Sequence, residues 1–399
     1  MMTKRETFLP YALPLIGEEE INEVADSLRS GWVTTGPKVK QFEQEVQKYV
    51  NCAHAIAVNS CTAGLHIALT ALGVGPGDEV ILPSFTFCAT ANVVVHRGAR
   101  PVLVDIKDDY NISPEAVEAA ITPKTKAIMP VHYGGMACDL QEIYEIAARH
   151  HLAVVEDGAH AIGIHYRGMK VGSDDLTRQE WHEGVLSAVV YSFYATKNMT
   201  TGEGGMIATS HEDLANHMRV LTLHGMSRDA WKRYTSAGSW YYEVVDAGYK
   251  YNMTDIQAAL GIHQLRRLDE FIQRRRQYAR MYDEGLADLP EIKTPIAHED
   301  RSHAYHLYVI QIDPERLTLD RAQFIEQLKA YNIGTSVHYI PVHLHPFYQK
   351  TFGYSRGDLP KTEACYDRII SLPLYPKMTE ADVAYVVDAV REIVINHRR

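Results

Sequence analysis

The chain has 399 residues, 46% of them apolar, and a formal net charge of −10 at neutral pH; that is material for a large core and, on length, for two or three domains. The negative balance argues against a general nucleic-acid or membrane-surface partner, and no window approaches the ~20 apolar residues of a spanning helix. Cys52, Cys61, Cys88, Cys138 and Cys365 are odd in number and scattered, which argues against a disulfide framework or a metal pair and fits a reducing cytoplasm, as does a start with no signal-like apolar run.

Gly17 to Gly31 predicts a helix with Ile21, Val24, Ala25 and Leu28 on one face, ended by the glycine. The loop from Gly31 to Pro37 is either a ligand-touching turn, through its hydroxyls and amides, or a plain helix connection. Short apolar runs then recur at 55–58, 79–82, 101–104, 127–129 and 152–155, most of them separated by helix-length amphipathic segments such as 62–72 and 140–150. That alternation means a mainly parallel sheet covered on both faces. Two more strands are expected at 188–191 and 205–209. Beyond them lie one long helical pattern, 254–286, a strand at 305–311, and helices at 320–331 and 380–394. In the long helix, Arg266, Arg267 and Arg274 to Arg276 read as a solvated face.

In such sheets ligands bind beyond the carboxyl ends of the strands, and here those ends carry polar groups. Asn59-Ser-Cys-Thr62 follows the first strand and Pro83-Ser-Phe-Thr-Phe87 the second. Val131-His-Tyr133 follows the run at 127, Glu156-Asp157-Gly-Ala-His160 the next, and Ser192-Phe-Tyr-Ala-Thr-Lys197 the one after. Five strand ends meeting on one rim make a stronger signal than any single motif. Lys197 sits between a strand and the glycine-rich Gly202-Glu-Gly-Gly205; kept from water it loses affinity for a proton, and the neutral amine attacks carbonyls. The reading is a Schiff-base lysine holding pyridoxal phosphate, with the glycines letting backbone approach the ligand. Ser60, Cys61 and Thr62 at a helix start suit its phosphate, or simply cap the helix. Asp157, ending a buried strand, needs a partner, either a protonated pyridine nitrogen or an arginine. His160 either bonds the ring's phenolic oxygen or is a satisfied core histidine. Phe87, ahead of Phe85, is the aromatic to stack on the ring, with core packing as the alternative.

The same residues resemble a known family. Asn59-Ser-Cys-Thr-Ala-Gly-Leu65, Pro83 to Phe87, Glu156 to His160, Ser192 to Asn198 and Thr201-Gly-Glu-Gly-Gly205 look like the sugar-nucleotide aminotransferases of the DegT type, over Gly17 to about Pro376. The resemblance implies an α/β chain of the aspartate aminotransferase-like fold (fold type I, pyridoxal phosphate-dependent). Its large domain, residues 1–260 with the N-terminal segment, holds the mainly parallel sheet, and a smaller α+β C-terminal domain, residues 261–399, is joined by a long helix. Lys197, Asp157 and His160 are then catalytic and also hold the cofactor with Ser60, Cys61, Thr62, Phe87 and Ser192. Asn252 reaches the phosphate of the neighbouring subunit in a homodimer with shared sites; on composition alone it equally caps the helix that follows. Thr34, Tyr133, Arg228, His338 and His343 are the expected substrate contacts. A zinc site on His338, His343 and His345 is the rival reading; the spacing, Pro341 and Pro346, and the lack of a nearby carboxylate or cysteine argue against it, and no metal is expected. The implied activity is transamination of a keto sugar nucleotide, first a UDP-linked 4-keto sugar, with L-glutamate as donor. It serves cell-surface glycan or lipopolysaccharide synthesis in the cytoplasm. A 3-keto sugar, a dTDP or GDP carrier, or a cofactor-binding regulator are the alternatives; no DNA-binding motif supports the last. Neither nucleic acid nor membrane is an expected partner. Ser173 to Gly184 is longer and more polar than in the family, which leaves its bearing on substrate choice open.

Overall fold

Alternating burial builds two cores on one sheet. A computed structural model describes residues 3–227 and 241–399. Its strands are β1 (His54–Val58), β2 (Glu79–Pro83), β3 (Arg100–Val104), β4 (Thr125–Ile128), β5 (Ala153–Gly158), the hairpin β6 (His165–Tyr166) and β7 (Met169–Lys170), then β8 (Ser187–Ser192) and β9 (Gly205–Thr209). Seven of them form one sheet in the order β1-β9-β8-β5-β4-β2-β3. Only β9 runs against its neighbours β1 and β8; the other pairs are parallel. Side chains alternate across the sheet. Ala55, Ala57, Ile81, Val154 and Val189 enter one core with Phe42 and Val46, while Ile56, Val58, Val80, Leu82, Val155 and Val190 enter the other with Leu65 and Ile67. At Gly64 a Cβ would lie 2.5 Å from Val190, so the helix Cys61–Ala71 rests directly on β8.

The expected first helix is present as Glu18–Ser30 and stops at Gly31, whose φ of 80° suits glycine. Its packing face differs from the expectation. Ile21 and Leu28 are 52% and 57% exposed, whereas Glu20 and Ser27 are buried. Glu20 accepts a bond from Gln264 at 2.8 Å and lies 3.5 Å from Arg267, so polar pairing holds this helix to the body. The apolar stripe is left at the surface with Trp32 and Val33.

The expected long helix is two helices, Asp255–Arg266 and Leu268–Leu286, broken at Arg267 (φ −101°, ψ 0°) with no glycine or proline to announce it. Arg275, expected in a solvated face, is buried and donates to the Leu374 carbonyl at 2.6 Å. Along Leu268–Leu286, Ile272 still belongs to the first core and Tyr278 to a third one. The change therefore falls beyond the division expected at 260/261. This third core surrounds β10 (Ile292–Lys293), β11 (Tyr308–Ile312) and β12 (Ile369–Leu372), an antiparallel sheet, together with the helices Arg321–Ala330 and Glu380–His397. β11 starts later than expected because the residues before it pair elsewhere: Ala304 donates to the Gly135 carbonyl and Leu307 to that of Gly134.

The polar stretch 173–184 contains the short helix Asp174–Thr177 and a turn at Glu180–His182. Asp174 accepts from Ala53 and Ser210, and His182 stacks on Tyr144. None of its residues lines the cavity described below. No helix among the described residues is long and apolar enough to cross a membrane.

Candidate active site

All five strand ends open onto one cavity of about 520 Å³, within the ~300–1,000 Å³ range of small-molecule sites. Ser60, Cys61 and Thr62 line it from β1, Thr86 and Phe87 from β2, Val131 from β4, Asp157 and His160 from β5, and Ser192 and Lys197 from β8.

Lys197 lies in the turn after β8, its amide donating to the Tyr194 carbonyl at 2.9 Å. Its Nζ has no hydrogen-bond or ion-pair partner among the described residues. Desolvation lowers its pKa to about 8, against the pull of Asp157 and Cys61 in the other direction. A lysine at its usual pKa is less than about 1% neutral at pH 8; this one is half neutral there. Competitive acylation of the cofactor-free protein across pH 6–11 should therefore show Lys197 titrating near pH 8, while exposed lysines titrate near 10.4. Titration of Lys197 with the exposed group would contradict this.

Asp157 is buried and takes three neutral donors, the Thr90 hydroxyl at 2.8 Å, the Ala159 amide at 3.1 Å and the Cys61 thiol at 4.0 Å. Burial raises its pKa, opposed by the Thr90 and Ala159 bonds and by Lys197. Among the described residues no arginine lies within ion-pair distance of it. A carboxylate so placed lacks a cationic N–H.

His160 has a defined tautomer. Its Nδ1 accepts the Gly134 amide proton at 3.2 Å, so in the neutral ring, which burial enforces, Nε2 carries the hydrogen and donates to the Tyr339 hydroxyl at 3.1 Å. That leaves the Tyr339 hydroxyl proton free to be donated into the cavity. Tyr339 and His306 both line this cavity, and the His306 ring is 4.3 Å from that of His160. Neither was singled out in the sequence; they come from 140 residues or more further on and carry no rim signal.

The two phenylalanines divide. Phe87 is 56% exposed on the cavity, 5.8 Å from the Tyr339 ring, whereas Phe85 is fully buried against Tyr110 and Tyr133. Ser60 caps the helix Cys61–Ala71 by accepting the Ala63 amide at 3.1 Å, so the capping reading holds; the amides of Cys61 and Thr62 remain free of helix partners, as first-turn amides must. Gly205 acts differently from the expectation. A Cβ there would stand 2.7 Å from the Cys61 nitrogen and 2.8 Å from the Ser60 carbon. The glycine thus seats β9 against the helix start, and it is Gly204 that lines the cavity. Buried Ser192 closes β8 beside it.

This donor set fits pyridoxal phosphate. Free amides and hydroxyls at a helix start suit a phosphate, a buried carboxylate suits a pyridinium, an exposed aromatic suits a ring face, and an unpartnered low-pKa amine suits a carbonyl.

The expected substrate residues scatter. His338 lines the cavity with Nδ1 2.8 Å from the Ser371 hydroxyl, its pKa lowered to about 4 by burial and by Lys197. His343 does not: fully buried, it is held between Ser84 (2.7 Å) and Glu363 (3.0 Å). The two rings thus have different partners and share no site. Tyr133 is also off the cavity, buried with its hydroxyl donated to the His338 carbonyl. Asn252 and Thr34 lie on a different cavity, of about 500 Å³, with Trp32, His224 and Lys250. Asn252 donates to the Thr35 hydroxyl at 2.7 Å, and Thr254, not Asn252, caps the helix Asp255–Arg266, which removes the capping alternative. Arg228 lies outside the described residues.

Comparison with known proteins gives the family. Residues 14–391 match the sequence model of the DegT/DnrJ/EryC1/StrS aminotransferase family. The chain is 53% identical over 396 residues to the spore coat polysaccharide biosynthesis protein SpsC of Bacillus subtilis, covering 99% of both. It superposes on the putative sugar aminotransferase Spr1654 of Streptococcus pneumoniae in its PLP-form with a TM-score of 0.88 at 34% identity, covering 98% of this chain and 99% of that one. Against PseC of Helicobacter pylori, an aminotransferase involved in the biosynthesis of pseudoaminic acid, the TM-score is 0.87 at 28% identity, covering 98% and 100%.

Proposed function

Because the chain belongs to the DegT/DnrJ/EryC1/StrS aminotransferase family, and is thus a transaminase of fold type I using pyridoxal phosphate, we propose that it aminates a keto sugar carried on a nucleotide, in the synthesis of a surface polysaccharide. A UDP-linked 4-keto sugar is the substrate put forward, L-glutamate the donor and the cytoplasm the compartment. The observation that carries the reading is the unpartnered Lys197 amine, depressed to about pKa 8, in one cavity with the buried Asp157 carboxylate. The names of SpsC and PseC support a sugar product.

Pyridoxal phosphate, when bound, supplies a carbonyl that takes up the donor's nitrogen and a ring that draws off the negative charge left when a carbon loses its proton. The protein does the rest. Lys197, neutral at Nζ, would take that proton and return it at the neighbouring carbon. Asp157 would hold the pyridine nitrogen in its protonated form. The amides of Cys61 and Thr62, with Ser60 and Ser192, would hold the phosphate. Phe87 would supply an aromatic face to the ring. His160 orients the Tyr339 hydroxyl, which donates into the cavity. The test is to incubate the enzyme with L-glutamate and UDP-, dTDP- and GDP-linked 4-keto and 3-keto sugars and measure the amino sugar. Amination of none of them would remove the substrate assignment.

We also propose a homodimer in which Asn252 serves the neighbour's site. The exposed stripe Ile21, Leu28, Trp32 and Val33 is apolar surface of the kind a second copy covers, and Asn252 stands on the cavity that Trp32 also lines. Mixed dimers test it. Let Lys197→Ala and Asn252→Ala chains, each inactive alone, exchange in equal amounts. If Asn252 acts across the interface, each hybrid has one intact site, and random pairing restores roughly a quarter of all sites. If it acts within its own chain, verified exchange restores nothing.

A further inference from the structure

A third cavity, of about 210 Å³, is lined by Met136, Arg276, Arg280, His298, Arg301 and His303, among others. Its charges are unevenly neutralised. Arg301 is held by Asp300 at 2.7 Å and Asp139 at 2.8 Å. His298 lies 3.1 Å from Asp109. The His303 ring accepts the Tyr305 amide at 2.8 Å and is kept neutral by burial and by Arg276, its pKa lowered to about 3. Arg276 and Arg280 are different. They stand one turn apart on Leu268–Leu286, and neither has a carboxylate within ion-pair distance among the described residues. Arg274 on the same helix is paired with Glu270 at 2.8 Å, and Arg275 is turned inward to carbonyls. The groups that most favour the charge of Arg276 are the Tyr305 phenol and then Asp269, which already accepts the Tyr49 hydroxyl. Like charges at this spacing repel, and Arg276 is further desolvated. In a chain of net charge −10, two uncompensated guanidinium groups on one concave surface call for an anion from outside, and paired forks match phosphoryl oxygens.

The wall of this cavity is shared. Met136 pairs with His303, Ala304 donates to the Gly135 carbonyl and Leu307 to that of Gly134. On the same ribbon, the Gly134 amide binds His160 Nδ1 and the His306 ring lies against His160. Arg276 grips the ribbon through Nε, which donates to the His303 carbonyl at 2.8 Å. We propose that this cavity binds a phosphoryl group of a small metabolite between Arg276 and Arg280, and that its occupancy is felt at His160 through the ribbon 134–136/303–307. The inference stands apart from the choice of sugar substrate, because its readouts do not use turnover.

The test is calorimetric titration of the holoenzyme with pyrophosphate. The expected result is one saturable event that weakens by about a hundredfold or more in Arg276→Gln/Arg280→Gln, as the loss of two charge-assisted contacts requires, and is unchanged in Arg274→Gln. Any pyrophosphate entering the Lys197 cavity would be equal in all three proteins. Identical titrations of wild type and double variant, or an equal loss in Arg274→Gln, would overturn the site. Inorganic phosphate and uridine diphosphate as separate titrants tell a free anion from a nucleotide. For the coupling, pyrophosphate should shift the midpoint of the pH titration of the cofactor's visible absorbance in wild type and not in the double variant. Absence of a shift in wild type would overturn that half. Should the double variant lose its fold by melting curve, Arg280→Gln alone, an exposed side chain, carries the comparison in the same direction.

Discussion

Lys197→Ala should fold, melt within a few degrees of wild type and show no measurable turnover, a loss of roughly 10⁴-fold or more. General-base catalysis alone is worth 10²–10⁴, and this amine is also a nucleophile in the cavity that Asp157 lines, with no hydrogen-bond or ion-pair partner among the described residues. The fold should survive because Nζ makes no hydrogen bond or ion pair among the described residues, so none is lost with it. Removing a cation that burial has already pushed down to pKa about 8 also relieves desolvation. Borohydride reduction supplies the matching positive result: in wild type the cofactor becomes attached to the peptide containing Lys197, and in the variant to none. Label on another lysine would show that the cavity has been assigned to the wrong amine.

Asp157→Ala should lower turnover by 10²-fold or more and weaken cofactor binding by roughly 10- to 100-fold. A hydrogen bond to a charged group is worth about 1.5–3 kcal/mol, and each 1.4 kcal/mol is tenfold. The Ala variant also takes the carboxylate from the Ala159 amide, which bonds it at 3.1 Å, and from the Thr90 hydroxyl at 2.8 Å, which keeps Thr86 and the Phe87 carbonyl as partners. Asp157→Asn separates the two effects, because its amide oxygen still accepts one of those bonds but carries no charge. The Asn variant should recover stability and cofactor retention in part, and not turnover. Asp157→Glu should recover some turnover, since the charge is kept and only its position moves. Near-normal turnover in Asp157→Ala would mean that the carboxylate is structural.

The acidic limb of the pH profile follows from the same pair. Burial raises the Asp157 pKa, so the carboxylate is protonated, and its hold on a ring N–H lost, at a higher pH than for an exposed aspartate. Lys197 is neutral above about pH 8. In the cofactor-free protein burial thus draws the two groups together in pH, against the attraction of their opposite charges, which holds them apart.

What the sequence by itself determined was the sheet and its rim. β-branched runs of four or five residues, spaced by amphipathic helices, can only be covered parallel strands, and a parallel sheet presents its polar strand ends on one edge. Ser60, Phe87, Asp157, His160, Ser192 and Lys197 were therefore legible as neighbours, because each follows a strand and the topology brings those ends together. What only the tertiary structure decided was the direction of side chains outside regular elements and the pairing of distant segments. His338 and His343 are five residues apart in an irregular stretch with no period to say which way each points; one faces the cavity and the other is locked between Ser84 and Glu363. Tyr133 follows a rim strand yet is turned into the wall, while Tyr339, with no strand before it, reaches His160. Arg275 sits between exposed Arg274 and half-buried Arg276 and is itself buried where three carbonyls, of Tyr305, His306 and Leu374, converge on it from other segments. The stripe Ile21–Leu28 has a clean helical period, but period tells only that one face is apolar. Which face is packed was settled by Gln264 and Arg267, some 240 residues away, drawing buried Glu20 inward. Local periodicity reports that a face or a strand end exists; the partner that a buried charge or ring must find is a property of the folded chain alone.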